Sequence, residues 1–265
     1  MLVWTRRGRG IVLTVFALVV VVVFVAPIAT VVGAALAGSW TGPLPSNLGV
    51  ANFRAALSGQ EAASLSVSLQ TALLSGGVAL ILGTWAALAA REAPGWWGKL
   101  TDAVFHLPVA VPSVAIGLGV LIAFNERPLL LGGTKWIVIV AHSVLVLAYA
   151  FSAVSAALDR LDPAYRQAAE SLGAGPVRVL FQVTLPLLLP ALGAAAGLAI
   201  ALSMGELGAT VMVYPATWKT LPVTIFGLTD RGEVFDAAAS TCLLLAVTLI
   251  ALVVLGRLRG RAALR

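Results

Sequence analysis

The sequence predicts an all-α integral membrane protein with six transmembrane helices, and three observations carry that prediction. The first is composition. Of 265 residues, 60% are hydrophobic and only 11% are charged, against about 45–50% and about 25% in a soluble domain. A mean hydropathy of +1.01 is more apolar surface than one buried core can absorb. The second is segmentation: apolar stretches run over about 11–36, 65–90, 104–124, 136–157, 187–209 and 237–256. Each approaches the roughly 20 helical residues that cross a hydrocarbon core of about 30 Å. The third is the placement of charge at the ends of these stretches, where membrane topology puts it.

Taken in order, the first stretch follows Arg6, Arg7 and Arg9, and Ala35-Leu36-Ala37 resembles a signal cleavage site. A secretory signal has an apolar region of only about 7–15 residues, so this longer one reads as an uncleaved anchor. The third stretch is interrupted by Pro108, Pro112, Gly117 and Gly119. Carbonyls freed by proline at membrane depth need protein or water to satisfy them. That places the stretch inside an assembly, lining a path, with Pro112 and Ser113 as candidate lining residues.

Both termini are expected on the cytoplasmic side. In that topology Arg6, Arg7, Arg9, Arg91, Lys99, Arg160, Arg166, Arg178, Arg257, Arg259, Arg261 and Arg265 lie inside. Arg54, Arg127, Lys135, Lys219 and Arg231 lie outside, and the bias follows the positive-inside rule. Trp4, Trp40, Trp85, Trp96, Trp97, Trp136 and Trp218 all fall near segment ends and read as headgroup-level anchors. The net charge of +6 is therefore topological, and nucleic acid is not an expected partner; membrane lipid is.

Between the fourth and fifth stretches lies LDPAYRQAAESLGAGPVRVLFQVTLPLLLP, from Leu161. Asp162 can cap a helix by accepting from a free backbone N–H, and Pro163 suits its first turn. Gly173 can end that helix in the left-handed conformation. Pro176 can open a second short helix, and Pro186 is expected to break the chain before it enters the membrane. Ala168 and Ala169 leave room for another protein to approach.

Here the sequence resembles a family. Binding-protein-dependent ABC importer permeases carry a cytoplasmic loop of the form Glu-Ala-Ala, three residues, Gly, nine residues, Ile, one residue, Leu-Pro. In this chain Gln167-Ala168-Ala169, Gly173, Val183 and Leu185-Pro186 keep the spacing, with Gln167 replacing glutamate and Val183 replacing isoleucine. The resemblance implies a six-helix type I importer permease fold. It implies one transmembrane domain over residues 1–265, with a coupling loop at about 158–186 that docks on a separate ATPase subunit. Asp162, Gln167, Ala168, Ala169, Gly173, Leu185 and Pro186 would form that contact.

No Gly-Lys-Ser/Thr phosphate loop is present, since Gly98-Lys99 is followed by Leu100. An enzyme is therefore not expected: ATP and Mg would belong to partner ATPases, and this chain would hold no cofactor or metal. The lone Cys242 excludes a disulfide framework. The two histidines, His106 and His142, stand far apart, and His142 reads as a packed, hydrogen-bonded residue.

In SMGELGATVMVY, from Ser203, the carboxylate Glu206 falls within the fifth stretch, where an ionisable residue is costly and by default functional. Glu206, Thr210 and Tyr214 join Ser113 and Pro112 as path or gate candidates, with helix packing as the alternative role of Glu206. Beyond Tyr214, Leu221–Leu228 suits a re-entrant or interfacial helix, and Lys219, Asp230, Arg231, Glu233 and Asp236 read as outer-loop charges. GELGAT followed by TLPVTIF resembles permeases serving thiamine, ferric iron, molybdate, sulfate and organophosphonates. The longer run GELGATVMVYP…TLPVTIFGLTDRG, with SWTGPLPSNL from Ser39, is most similar to 2-aminoethylphosphonate permeases.

The resemblance implies a second permease subunit, identical or related, and a periplasmic or lipid-anchored solute-binding protein. It places the chain in a bacterial cytoplasmic membrane. An ion-coupled secondary transporter using Glu206 is the rival; such folds usually carry internal repeats, and none is evident here.

Overall fold

The computed structural model describes residues 6–93 and 95–262, with side chains over 8–93 and 95–257. Trp4 and Arg265 lie outside these residues, as do the side chains of Arg6, Arg7, Arg259 and Arg261 counted above.

Helix follows helix in the described residues, and no strand is among them. The first apolar stretch forms α1 (Arg6–Val20), a π-helical turn (Val21–Val25) and α2 (Ala26–Leu36). A short α3 (Ala51–Ala56) leads to α4 (Gly59–Glu92). The third stretch is two helices, α5 (Gly95–Ala110) and α6 (Ser113–Ala123), bent by 109° at the break. Then come α7 (Lys135–Asp159), α8 (Pro163–Ser171), α9 (Pro176–Val179), a second π-helical turn (Leu180–Thr184) and α10 (Leu185–Met204). The chain closes with α11 (Gly208–Val213), α12 (Leu221–Asp230) and α13 (Val234–Ala262). Among the described residues, five helical segments are long and apolar enough to cross a membrane, and six if the bent α5–α6 pair counts as one span.

The residues gather in two compact units. In the one built from the N-terminal stretch up to Ala63 with Thr224–Leu244, the apolar window of the α1–α2 helix is 0% buried. Ile11, Phe16 and Phe24 stand exposed, as side chains meeting lipid do. The core of this unit is small: Ala34, Ala35, Ala56, Ala238 and Ala239, with Trp40, Phe53 and Phe235 against them. Asn52 donates to the carbonyls of Ala35 (3.0 Å) and Ala37 (2.9 Å), closing the end of α2. Trp40 is half-buried and packs on this cluster.

The other unit, Ser64–Val223 with Leu245 onward, is organised around α7. Its apolar window is 61% buried, and Ile137, Val138, Phe151 and Leu158 are among its buried side chains. The helix α4 meets this core with a small and polar stripe: Ser68, Thr71, Ala72, Ser75, Gly76, Ala79, Gly83 and Ala87 are buried. Small residues let membrane helices approach closely. A Cβ on Gly83 would stand 2.9 Å from the backbone nitrogen of Phe151, so at this point only glycine fits. Ring stacking of Phe105 on Phe151 at 4.8 Å and a 2.6 Å bond between His106 Nε2 and Ser152 Oγ fasten α5 to α7.

Two expectations are corrected here. Pro186 does not break the chain: Pro176–Met204 passes as one apolar helical span. The π-helical turn just before it, closed by the Leu185 N–H on the Leu180 carbonyl, accommodates a proline that has no N–H to give. The fifth span also ends earlier than expected, at Met204, so Glu206 is not within a helix.

Candidate functional site

The first candidate region is α8, which forms for local reasons. Asp162 Oδ1 accepts from the Ala164 N–H at 2.8 Å, and Pro163 occupies the first turn. At the other end Gly173 adopts φ +82°. Its N–H donates to the Glu170 carbonyl (2.9 Å) and that of Ala174 donates to the Ala169 carbonyl (3.0 Å). These are the paired bonds of a Schellman motif. The helix buries no residue, and Leu172 just beyond it is 87% exposed. Gln167, Ala168 and Gly173 are likewise exposed, while Ala169 and Leu185 are half-buried.

What holds α8 to the span beneath it was not legible in the sequence. Arg166 pairs with Glu92 at the end of α4 (2.7 Å) and with Glu170 on α8 (2.8 Å). The hydrogen bonds to Glu170 and then Glu92 hold its guanidinium above the ordinary value. Arg91, its neighbour's counterpart on α4, donates to the Leu158 carbonyl at the end of α7 (2.8 Å). A cavity of about 470 Å³ lies under the loop, lined by Trp85, Arg91, Glu92, Tyr165, Arg166 and Val183 among others. The helix is thus pinned by charge at one point and otherwise presented outward.

The second candidate region is where two spans break. The chain leaves helix at Val111-Pro112, between α5 and α6, and at Gly205-Glu206-Leu207, between α10 and α11. The restarted halves pack closely. A Cβ on Gly117 would fall 2.6 Å from the carbonyl oxygen of Ala209. At this junction lies a cavity of about 200 Å³, lined by Pro108, Ser113, His142, Tyr149, Ser203 and Glu206 among others. Glu206 Oε1 accepts from the Ala209 N–H at 2.8 Å, satisfying an N–H that the start of α11 would otherwise leave free.

Of the path candidates, the structure brings Glu206 and Ser113 to this cavity, with Pro112 at the turn beside it. Thr210 and Tyr214 do not line it. Thr210 is fully buried behind the Glu206 turn, donating to the Glu206 carbonyl at 3.2 Å. Tyr214 packs against the cluster of Val120, Ile137, Val138 and Ala209. Tyr149 is a lining residue that the sequence did not single out.

His142 is the packed, hydrogen-bonded residue expected of it. It is buried, with Nδ1 2.7 Å from Ser203 Oγ and Nε2 2.8 Å from Thr210 Oγ1, and Ser203 Oγ lies 3.2 Å from Ser75 Oγ. Because Thr210 donates to the Glu206 carbonyl, it accepts from Nε2–H. Nδ1 then accepts from Ser203, whose oxygen adjoins that of Ser75, and Ser75 Oγ also lies 3.5 Å from the Ala72 carbonyl. This chain ties α4, α7 and α10 to the turn that carries Glu206.

Nearer the other end of α7, Trp218 donates to Thr71 Oγ1 (3.0 Å), and Lys135 Nζ lies 5.3 Å from the Trp218 ring and 5.2 Å from that of Trp136. Trp218 is therefore an internal strut, unlike the exposed Trp85, Trp96, Trp97 and Trp136. Among the loop charges, Arg231 and Glu233 pair at 3.0 Å. The Arg231 guanidinium, by hydrogen bonding, holds the Glu233 carboxyl below its usual range. No group of three or more potential metal ligands occurs among the described residues.

Comparison with known proteins gives a consistent result. Residues 79–261 match the family described as binding-protein-dependent transport system inner membrane component. A Salmonella paratyphi A protein provisionally named 2-aminoethylphosphonate transport system permease protein PhnV is 45% identical over 261 residues, covering 98% of each chain. The molybdenum transport system permease protein ModB of Escherichia coli K12 is 34% identical over 172 residues, covering 58% of this chain and 74% of its own. Among solved structures, a chain of a bacterial ABC transporter importing alginate aligns with a TM-score of 0.75 at 15% identity, covering 95% of this chain and 94% of that one. A chain of the MetNI methionine ABC transporter aligns with a TM-score of 0.59 at 16% identity, covering 76% and 93%. These identities speak to fold alone.

Proposed function

The chain belongs to the family of binding-protein-dependent transport system inner membrane components, and from that premise we propose that its solute is 2-aminoethylphosphonate. Its fold is the type I ABC importer permease fold, and its work is that of a permease subunit. The observation that carries the solute assignment is likeness at 45% identity over 98% of both chains to proteins named for that compound. Likeness to the molybdenum permease reaches only 58% of this chain.

In this reading both termini face the cytoplasm and α8 is the coupling helix. ATP and Mg²⁺ reside on separate ATPase subunits, a second permease copy or relative completes the path, and a binding protein delivers solute from outside. The arrangement of α8 supports the assignment: it is exposed, capped at both ends, and attached by Arg166 to α4. Its displacement would pull on Glu92 and, through α9 and the second π-helical turn, on α10. A helical span of 29 residues (Pro176–Met204) is about 40 Å long at 1.5 Å per residue. One lever would then join the loop to the break beside Glu206.

Competition during uptake tests the solute. In proteoliposomes holding the complete complex and its binding protein, unlabelled 2-aminoethylphosphonate should suppress uptake of the labelled compound, while molybdate and thiamine leave it unchanged. Uptake of molybdate or thiamine, with none of 2-aminoethylphosphonate, would overturn the assignment.

A further inference from the structure

We infer that the cavity at the two helix breaks is a subsite for a small primary ammonium group, held by Glu206 with help from Ser113 and Tyr149. As an assignment to the solute's amine it rests on the permease reading above; as a cation site it stands on the geometry.

The site carries one charged group. Among the described residues, Glu206 lines the cavity and no lysine or arginine does, and no ion pair to Glu206 occurs. One carboxylate oxygen accepts a single backbone N–H, from Ala209. A carboxylate offers about four acceptor positions, so most of its capacity is unused. His142 cannot answer it, since both ring nitrogens are engaged by Ser203 and Thr210.

The oxygens are also gathered. A Cβ on Gly208 would collide with Ser113 Oγ and stand 3.5 Å from Glu206 Oε1, so both oxygens border the space that the missing side chain leaves open. Tyr149 lines the same space, and its ring face suits a cation as well as its hydroxyl does. An ammonium with three donors and no acceptor fits an acceptor-rich, singly negative site. A divalent ion does not, because it asks for about six or more oxygen ligands or several carboxylates, and an oxyanion would meet Glu206 as a like charge.

Thiol labelling tests this independently of transport. The complete complex in nanodiscs, carrying Ser113→Cys in a Cys242→Ser background, is treated with aminoethyl or with sulfonatoethyl methanethiosulfonate. Rates on this chain are normalised to those with a free thiol, and Val109→Cys, on the same cavity wall, serves if the first variant fails to fold. The cationic reagent should be favoured by about tenfold, the scale of one unit charge acting over a few ångströms in a partly aqueous site. That preference should vanish in Glu206→Gln. 2-Aminoethylphosphonate should slow the labelling and ethylphosphonate should not. Equal normalised rates, or a preference that survives Glu206→Gln, would overturn the site. A preference without protection by 2-aminoethylphosphonate would keep the cation site and overturn the solute reading.

Discussion

ATP-driven uptake by a Gly173→Asp variant falls to background while the chain still inserts and assembles. Gly173 sits at φ +82°, closing α8 through its own N–H and that of Ala174. A side chain there meets nothing within 4 Å in this chain, so the loss is not one of internal packing. Placing an L-residue in the left-handed region costs about 1–2 kcal/mol, and a carboxylate at a helix C-terminus adds about 0.3–1 kcal/mol against the helix dipole. Neither amount unfolds a membrane domain. What changes is the exposed end of a helix that, on our reading, enters the ATPase. Gly173→Asn separates the causes, because asparagine tolerates the same backbone without the charge; it should retain most of the uptake. Full uptake by Gly173→Asp, with folding and expression matched, would contradict the coupling role of α8.

Gly117→Ala is expected to lower the thermal stability of the purified chain in detergent, and Gly119→Ala is not. The two glycines lie on one helix, α6, two residues apart. A Cβ on Gly117 would stand 2.6 Å from the carbonyl oxygen of Ala209 and 2.7 Å from its Cα, whereas one on Gly119 meets nothing within 4 Å. Both atoms facing Gly117 are backbone, so relief requires α6 and α11 to part, and overpacking of this kind costs about 1–3 kcal/mol or more. The displacement would carry Ala209 away from the Glu206 carboxylate that its N–H now engages, so the junction cavity should change as well. An unaltered melting temperature for Gly117→Ala would show that the two half-helices are not packed as described.

What the sequence made legible were features decided by neighbouring residues. Hydropathy placed the spans, Asp162-Pro163 placed the start of α8, and Gly173 its end, because caps and left-handed turns answer to residues a few positions away. The same local logic misjudged Pro186. Proline removes one N–H wherever it stands, but the preceding π-helical turn that accommodates it has no comparable sequence signal. Glu206 stood out as a path or packing candidate but was misplaced within a helix, since Gly205 and Gly208 read equally well as packing glycines and as the flanks of a break. The partners of His142 were out of reach altogether. Ser203 and Thr210 follow it by 61 and 68 residues, and Ser75 lies 128 residues from Ser203. Such pairings are made by helix packing. The Arg166–Glu92 pair, 74 residues apart, was hidden for the same reason.

On this account the chain forms a path whose driving energy arrives from another subunit. Uptake of labelled 2-aminoethylphosphonate into proteoliposomes tests it most directly, with the complete complex, its binding protein outside and ATP inside. Accumulation should require ATP and stop when a non-hydrolysable analogue replaces it. Accumulation without nucleotide, driven by an imposed proton or sodium gradient, would contradict the claim and make Glu206 the coupling group of a secondary transporter.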